Sequence, residues 1–195
     1  VVVEASRLFA IPEGVTQREA AVAEPLACGI HATKLLGDIK GKDVVVIGPG
    51  IIGLSAFCGA KYAGAGRILV SGIVDYRKEL IEKFGGTYID SSKVDLETYV
   101  AEWSNGNLAD VVYECIGAEK TLDQSIRISK PGGKIMVMGV FGKKPVVDMN
   151  TLRQTGGFAS DSRFSVQTDA SGIYVQTDNL LVQIDPATGE QRPLV

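Results

Sequence analysis

The chain has 195 residues, of which 45% are hydrophobic and 22% charged, a composition typical of a globular domain with one sizeable core. Its net charge of −3 supplies no basic surface for nucleic acid or for an anionic membrane. Three widely spaced cysteines favour neither a disulfide framework nor a zinc knuckle. These numbers predict a small-molecule partner and a cytoplasmic location.

The first 42 residues differ in character from those that follow. Apolar runs at 1–3 and 8–11 look like remnants of strands, and residues 17–36 have the pattern of a helical segment. The sequence starts without Met and without the basic start and long apolar centre of a signal peptide. We interpret residues 1–25 as the remnant of a preceding catalytic domain, in a chain that is a fragment.

Short β-branched runs alternate with helical patterns over the next hundred residues. The runs are too apolar for a half-exposed antiparallel sheet and suit strands that are covered on both faces. The predicted strands are 44–47, 68–70, 87–89, 111–113 and 135–138, and the predicted helices are 51–62, 75–84, 95–103 and 121–128. Repeated β-α units with short turns predict an α/β fold, a doubly wound parallel sheet of the Rossmann type, over residues 26–150.

The uncharged run 44–60 needs separate mention because it resembles a membrane span. It is shorter than the roughly 20 residues that cross a bilayer, and glycines and a proline interrupt it. We therefore predict a buried strand, a turn and a helix there.

Residues 151–195 have a different composition again, with no lysine and an alternating pattern that predicts a β-hairpin tail. The stretch YVQTDNLLVQIDPATGE resembles one blade of a quinoprotein-like β-propeller. A single blade cannot bury its own faces, so an independent domain is not expected. A joined end, an extension and a hairpin that covers the sheet edge all stay open, and we assign the tail no function.

The sequence GPGIIG lies between the first predicted strand and the following helix. In a dinucleotide-binding turn of the form GxGxxG, the first glycine permits the tight turn, the second lets a pyrophosphate approach and the third allows close helix-strand contact. The alternatives are a turn that binds nothing and a site for a methyl donor such as S-adenosylmethionine. The candidate cofactor-binding residues here are Gly48, Gly50, Ile51, Ile52 and Gly53.

An acidic residue that holds the adenosine ribose is expected about 20 residues after such a turn, but Ser71 and Gly72 stand there. A small residue leaves room for a 2′-phosphate, to which Ser71 can donate and which Arg77 or Arg67 can neutralise. This favours NADP slightly over NAD. The rival interpretation is that Asp75 reaches the ribose; Asp75 as a helix N-cap and Arg77 as a solvated surface residue are equally open.

Four segments together resemble the cofactor domain of the zinc-dependent medium-chain dehydrogenase/reductase family, close to its polyol and threonine dehydrogenase branch. They are EPLACGIHATKLLG, GPGIIG, DYRKEL and KPGGKIMVMG, and the resemblance covers about residues 1–150. It implies binding of NAD or NADP and hydride transfer between an alcohol or polyol substrate and a carbonyl. It also implies zinc as a Lewis acid in the intact enzyme, where a homo-oligomer is possible.

The resemblance also implies roles for individual residues near the start of the chain. Glu24 matches a glutamate at the catalytic zinc, as ligand or near neighbour, and its alternative is a surface acid at a helix entry. The family's zinc is held chiefly by residues of an N-terminal domain that is absent, so no catalytic set is complete. His31 is interpreted as a packed or partly exposed helix residue, Cys28 as a neighbour of the nicotinamide, and Cys58 as a small core residue.

Two loops at strand ends complete the predicted cofactor site. Cys115, Ile116 and Gly117 close the fourth predicted strand, and Gly139 and Val140 close the fifth. The resemblance implies that their backbone touches the adenosine ribose side and the nicotinamide carboxamide, whereas the alternative is that they are plain strand exits. We expect little or no dehydrogenase turnover from this chain alone. The alternative function is a non-catalytic nucleotide-binding or interaction module.

Overall fold

The structure, a computed structural model, describes residues 2–148 with their side chains, Arg7 excepted, and the backbone of 157–160, 164–169, 172–177, 180–184 and 191–193. Two helices come first, α1 (Gln17–Ala20) and α2 (Ala23–Leu35). Strands and helices then alternate: β1 (Asp43–Ile47), α3 (Ile51–Tyr62), β2 (Arg67–Gly72), α4 (Lys78–Lys83), β3 (Thr87–Asp90), α5 (Leu96–Trp103), β4 (Ala109–Glu114), α6 (Glu119–Ile128) and β5 (Ser129–Val137). Five further strands follow: β6 (Gly157–Ser160), β7 (Phe164–Asp169), β8 (Gly172–Thr177), β9 (Leu180–Ile184) and β10 (Gln191–Pro193).

The strands form one sheet in the order β10-β9-β8-β7-β6-β5-β4-β1-β2-β3. All pairs from β3 to β6 are parallel, and those from β6 to β10 are antiparallel. Strand order reverses at β1, which has β2 on one side and β4 on the other. The predicted doubly wound parallel sheet with a β-rich C-terminal tail is therefore confirmed.

Both faces of the parallel sheet are covered, as the apolar strands predict. Along β1, Val44 and Val46 pack in one cluster with residues of α2, α3 and α4, while Val45 and Ile47 pack in the other with residues of α5 and α6. Alternate side chains of a strand point to opposite faces, so a strand covered on both sides reads as a continuous apolar run. The run 44–60 is β1, a turn and α3, and no helix in the described residues is long and apolar enough to span a bilayer.

Several predicted element boundaries are wrong, and each difference has a local cause. The helical segment 17–36 is two helices, because Pro25 in the first turn of α2 has no N–H to donate to a preceding turn. Residues 75–84 divide into a 3₁₀ turn, Asp75–Arg77, and α4. The strand remnants at the start were also wrong, since residues 2–15 contain a 3₁₀ turn, Ala5–Arg7, and no strand.

Candidate functional site

The Gly-rich turn joins β1 to α3 at the carboxyl edge of the sheet. Gly48 has a φ of +100° and its N–H donates to the Ser71 carbonyl at 2.9 Å, so the chain turns sharply beside β2. A Cβ on Gly53 would lie 1.8 Å from the Gly48 carbonyl oxygen. Side chains are therefore excluded at both ends of the turn, by backbone conformation at Gly48 and by contact at Gly53.

Gly50 differs from these two glycines because the space beside it is open. A Cβ built on Gly50 meets no atom within 4 Å, and its φ of −66° is accessible to any residue. Gly50 is the N-cap of α3, and no side chain caps that helix. The first N–H groups of α3, starting at Ile51 and Ile52, thus border an open space at the positive end of the helix dipole. This geometry suits a phosphate group.

Gly72 ends β2 directly against the Gly-rich turn. A Cβ there would lie 2.6 Å from Pro49 Cγ and 2.8 Å from the Tyr88 hydroxyl, which itself donates to the Val74 carbonyl at 2.7 Å. The direction that an acidic side chain would take is therefore filled by protein. Ser71, the preceding residue, is only 1% exposed. The structure thus gives Gly72 a packing role that sequence reasoning missed.

Arg77 lies at the same edge of the sheet. Its Nη1 donates to the Pro49 carbonyl of the turn, and its guanidinium stacks on the Tyr76 ring with 4.8 Å between Cζ and the ring centroid. Arg67, the other cation considered for a 2′-phosphate, lies at the opposite edge. It starts β2, pairs with Asp43 and donates to the Trp103 carbonyl at 2.7 Å, so its proposed role was wrong.

Asp75 is exposed and forms an ion pair with Lys93 at 3.7 Å. It does not act as a helix N-cap, since Val74 precedes the 3₁₀ turn and no side chain caps α4. Lys93 also binds Asp90 at 2.6 Å, and hydrogen bonds from Lys93 and Ser92 lower the pKa of Asp90 to about 2. Both acids at this end of β2 and β3 therefore share one cation.

The loops after β4 and β5 touch each other. A Cβ on Gly117, where φ is +80°, would lie 2.4 Å from the Val140 carbonyl oxygen, and one on Gly139 would lie 2.0 Å from the Gly117 nitrogen. Ile116 is 50% and Val140 89% exposed, so the joined loops present a surface at the carboxyl edge. The four residues Ile116, Gly117, Gly139 and Val140 are called the loop shelf below.

Cys115, which directly follows β4, is a neutral thiol. Burial, and after it the nearby Glu114, raises its pKa far above the usual value. The side chain is suited to packing rather than to nucleophilic chemistry, because the thiolate is the reactive form.

Glu114 is a functional candidate that sequence reasoning missed. It is the last residue of β4, is completely buried, and accepts hydrogen bonds from the N–H groups of Ile116 and Gly117, both at 3.0 Å. The available signal was an acid directly after the predicted buried strand 111–113, because buried carboxylates are rare unless they have partners.

Residues of α2 do not form a metal site in the described part of the chain. Glu24 is exposed and its Oε1 lies 3.7 Å from Cys28 Sγ, while His31 lies exposed two turns from Glu24. No group of three or more potential ligands from His, Cys, Asp and Glu occurs among the described residues. These side chains do not suit zinc, which takes four ligands at structural sites and three protein ligands at catalytic sites.

One further residue of the sequence interpretation needs correction. Cys58 lies on α3 and is exposed, not a core residue. The apolar pattern of α3 does not indicate which of its residues are buried, because the helix packs against α2 as well as against the sheet.

Fold and turn together define a Rossmann-type domain with a glycine-rich turn at the point where the strand order reverses. A family model described as zinc-binding dehydrogenase matches residues 52–167, more than half of the chain. The chain belongs to this zinc-binding dehydrogenase family.

Individual relatives agree with the family. An L-threonine 3-dehydrogenase of Pyrococcus horikoshii is 34% identical over 77% of the chain and 43% of its own length. A sorbitol dehydrogenase of Halalkalibacterium halodurans is 37% identical over 77% of the chain and 44% of its length. The chain therefore spans less than half the length of these relatives.

Solved structures show the same fold. The 2R,3R-butanediol dehydrogenase from Bacillus subtilis has a TM-score of 0.70 and 25% identity, covering 78% of this chain and 44% of the other. A protein described as a zinc-binding dehydrogenase from Sinorhizobium meliloti, bound to NADP, has a TM-score of 0.67 and 31% identity, covering 74% and 44%.

Proposed function

We propose that this chain binds a nicotinamide dinucleotide as the cofactor domain of a zinc-type alcohol or polyol dehydrogenase. The observation that carries the proposal is the open, uncapped start of α3 at Gly50, next to a turn in which Gly48 and Gly53 admit no side chain. Such a turn, at the carboxyl ends of parallel strands where strand order reverses, is where Rossmann-type domains bind a pyrophosphate. The relative solved with NADP supports the same ligand class.

In this proposal the Gly-rich turn and the loop shelf, both at the carboxyl edge of the sheet, bind different parts of the cofactor. The N–H groups of Ile51, Ile52 and Gly53 bind the pyrophosphate, and the loop shelf orients the nicotinamide half. The bound cofactor supplies the hydride acceptor or donor. The chain's residues hold that ring in place and exclude water from one side of it. The described side chains form no site for zinc.

We further propose that the chain binds NADP more tightly than NAD. Arg77 is the first cation that follows β2 in the chain, and its bond to the Pro49 carbonyl places it beside the turn. Asp75, which would favour NAD by binding the ribose hydroxyls, is paired with Lys93 instead. The preference is modest, because the Gly72 position is filled by Pro49 and Tyr88 and does not itself provide a phosphate pocket.

The substrate proposed for the whole protein is a small alcohol or polyol, and its location cytoplasmic. The relatives are named as threonine and sorbitol dehydrogenases, which supports this class without selecting a member. We expect the chain alone to turn over sorbitol, threonine or simple alcohols little or not at all, since Glu24 alone cannot hold zinc. Clear turnover by the purified chain would contradict this expectation.

Fluorescence titration of the purified chain with NADPH, NADH and S-adenosylmethionine tests the proposal. Both reduced dinucleotides should bind, and S-adenosylmethionine should not. Gly50→Ala should weaken dinucleotide binding about tenfold or more, as expected when contacts to a charged phosphate are lost, while the melting temperature stays unchanged. Equal and weak binding of all three ligands would refute the site assignment.

A non-catalytic nucleotide-binding module is the second candidate. It is favoured by the lack of a three-ligand metal group among the described residues. Reading the coding sequence upstream decides between the two, because a dehydrogenase of this family would show a Cys and a later His-Glu pair there. Dinucleotide binding is common to both candidates, so the titration does not separate them.

A further inference from the structure

Glu114 is a buried acid at the meeting point of two loops. It ends β4, the strand between β1 and β5, and its side chain is 0% exposed. A carboxylate is expensive to bury unless hydrogen bonds replace its water. Its partners therefore identify what the residue does.

The carboxylate binds the loop that follows its own strand. Glu114 Oε1 accepts from the N–H groups of Ile116 and Gly117, both at 3.0 Å, and from Thr121 Oγ1 at 2.7 Å. Oε2 is also within reach of the Gly117 N–H, at 3.1 Å. Three donors thus converge on one side chain and fix the path of the β4 loop.

The same residue also fixes the loop after β5. The Glu114 carbonyl accepts from the N–H groups of Met138 and Gly139 at 2.8 and 3.0 Å. A Cβ on Gly139 would lie 2.5 Å from Glu114 Oε2, so the second loop rests against the carboxylate. Both halves of the loop shelf are therefore positioned by one residue, the β4 loop by its carboxylate and the β5 loop by its backbone carbonyl and by contact with Oε2.

None of these contacts involves the Gly-rich turn. Gly48 and Gly53 contact each other, and Gly48 donates to β2, whereas the Glu114 carboxylate accepts hydrogen bonds from its own loop and from Thr121 at the start of α6. The hydrogen bonds of the Glu114 carboxylate are thus separate from those of the Gly-rich turn, and the loop shelf meets the turn where Ile116 lies beside Gly48.

We propose that Glu114 is a positioning residue that shapes the loop shelf for the nicotinamide half of the dinucleotide, acting through Gly117 and Gly139. This inference rests on the proposed function. It assigns the pyrophosphate to the Gly-rich turn and the nicotinamide to the loop after β5, so a change at Glu114 weakens binding of the complete dinucleotide more than binding of ADP.

Two substitutions of Glu114 should differ in the number of hydrogen bonds that they preserve. In Glu114→Asp the charge remains but the side chain is one methylene shorter, so the carboxylate cannot reach the same three donors. Glu114→Gln keeps the length and places its NH₂ group at the Oε2 position, facing the Gly117 N–H. The aspartate variant is therefore more damaging than the glutamine variant, which preserves the three bonds to Oε1.

The test is titration of the purified chain with NADH and, separately, with ADP. Glu114→Asp should lower the affinity for NADH about tenfold or more, the loss expected from buried charge-assisted hydrogen bonds, with Glu114→Gln intermediate. ADP affinity should fall by a smaller factor, about threefold or less, a difference worth under about 0.7 kcal/mol. Glu97→Asp, the same exchange at an exposed helix residue, is the matched control and should leave both affinities unchanged.

Each contrary result has a defined meaning. If Glu114→Asp folds and both ligands bind as in the wild type, or both weaken equally, the positioning role is refuted while the proposed function stands. If Glu114→Asp does not fold, Glu114→Gln and Thr121→Val, which removes one donor, decide by the same NADH-to-ADP comparison. A wild-type chain that binds neither ligand refutes the proposed function and this inference with it.

Discussion

The Tyr113 hydroxyl lies 2.8 Å from Thr33 Oγ1 and joins the central strand β4 to helix α2. Thr33 uses its only hydroxyl proton on the Gly29 carbonyl, also at 2.8 Å, so Tyr113 is the donor in the pair. Both side chains are buried, Tyr113 completely. This bond connects the sheet to the helix that carries Glu24 and Cys28.

Removing either partner should destabilise the fold, by unequal amounts. Thr33→Val leaves the buried Tyr113 O–H without an acceptor and should cost about 1–3 kcal/mol of unfolding free energy. Tyr113→Phe leaves Thr33 Oγ1 as an acceptor with one donor fewer and should cost about 1 kcal/mol of unfolding free energy. Urea denaturation of both variants and of the double variant measures this, and a more damaging Tyr113→Phe would contradict the assigned donor.

Tyr113 also predicts how stability changes at high pH. Burial, partly offset by the Thr33 hydrogen bond, raises the pKa of Tyr113 to about 12. The unfolded chain ionises this tyrosine near pH 10, so its contribution is complete below pH 10 and is lost as the pH rises toward 12. The loss reaches about 3 kcal/mol, since one pKa unit is worth about 1.36 kcal/mol.

Unfolding curves between pH 9 and 12 test this sign. Other groups, including Cys115 and Tyr88, also have raised pKa values and contribute to the alkaline loss, so the wild-type slope alone does not suffice. Tyr113→Phe should show a smaller decrease than the wild type. Identical slopes would show that Tyr113 does not carry this linkage.

Gly53 and Gly50 should respond differently to the same substitution. A Cβ on Gly53 would meet the Gly48 carbonyl oxygen at 1.8 Å, so Gly53→Ala must move the turn or the helix. Overpacking of this kind costs typically about 1–3 kcal/mol, and the melting temperature should fall. Gly50→Ala has open space and should keep the melting temperature. Equal melting temperatures of the two variants would contradict the described contact.

Arg77 is expected to distinguish the two dinucleotides. Arg77→Ala removes the proposed phosphate partner and should weaken NADPH binding about ten- to a hundredfold, the range for a charge-assisted bond. NADH should weaken less, through loss of the bond to the Pro49 carbonyl alone. Arg127→Ala is the matched control, because Arg127 pairs with Asp123 on α6 at 2.8 Å. An unchanged NADPH-to-NADH ratio in Arg77→Ala would remove Arg77 from the site.

Gly72→Asp is expected to weaken both dinucleotides. Its Cβ would lie 2.6 Å from Pro49 Cγ, so the Gly-rich turn must shift whatever cofactor is present. Gly72→Ala should have the same effect, because the methyl group alone makes the contact. Titration of both variants measures it. Selective loss of NADPH in Gly72→Asp would support direct contact with the 2′-phosphate instead.

The order of the β-α units, the glycine-rich turn and the doubly wound sheet could all be predicted from the amino-acid sequence. Those features depend on local rules: strands buried on both faces need continuous apolar runs, and a turn like Gly48 needs φ above zero. The position of Gly117 and Gly139 at the ends of strands also followed from the pattern, whereas their proposed contact with the cofactor came from the family resemblance. The family resemblance added the ligand class.

Contacts between residues that are distant in the sequence could be seen only in the tertiary structure. The reason for Gly72 appears only when Pro49 and Tyr88, which come from a different turn and a different strand, meet it in space. Arg67 and Arg77 are ten residues apart, yet a strand places them at opposite edges of the sheet. Glu114 is an ordinary acid in the sequence. Only in the folded chain do the N–H donors of the loop after β4 and the glycine of the loop after β5 meet at its carboxylate.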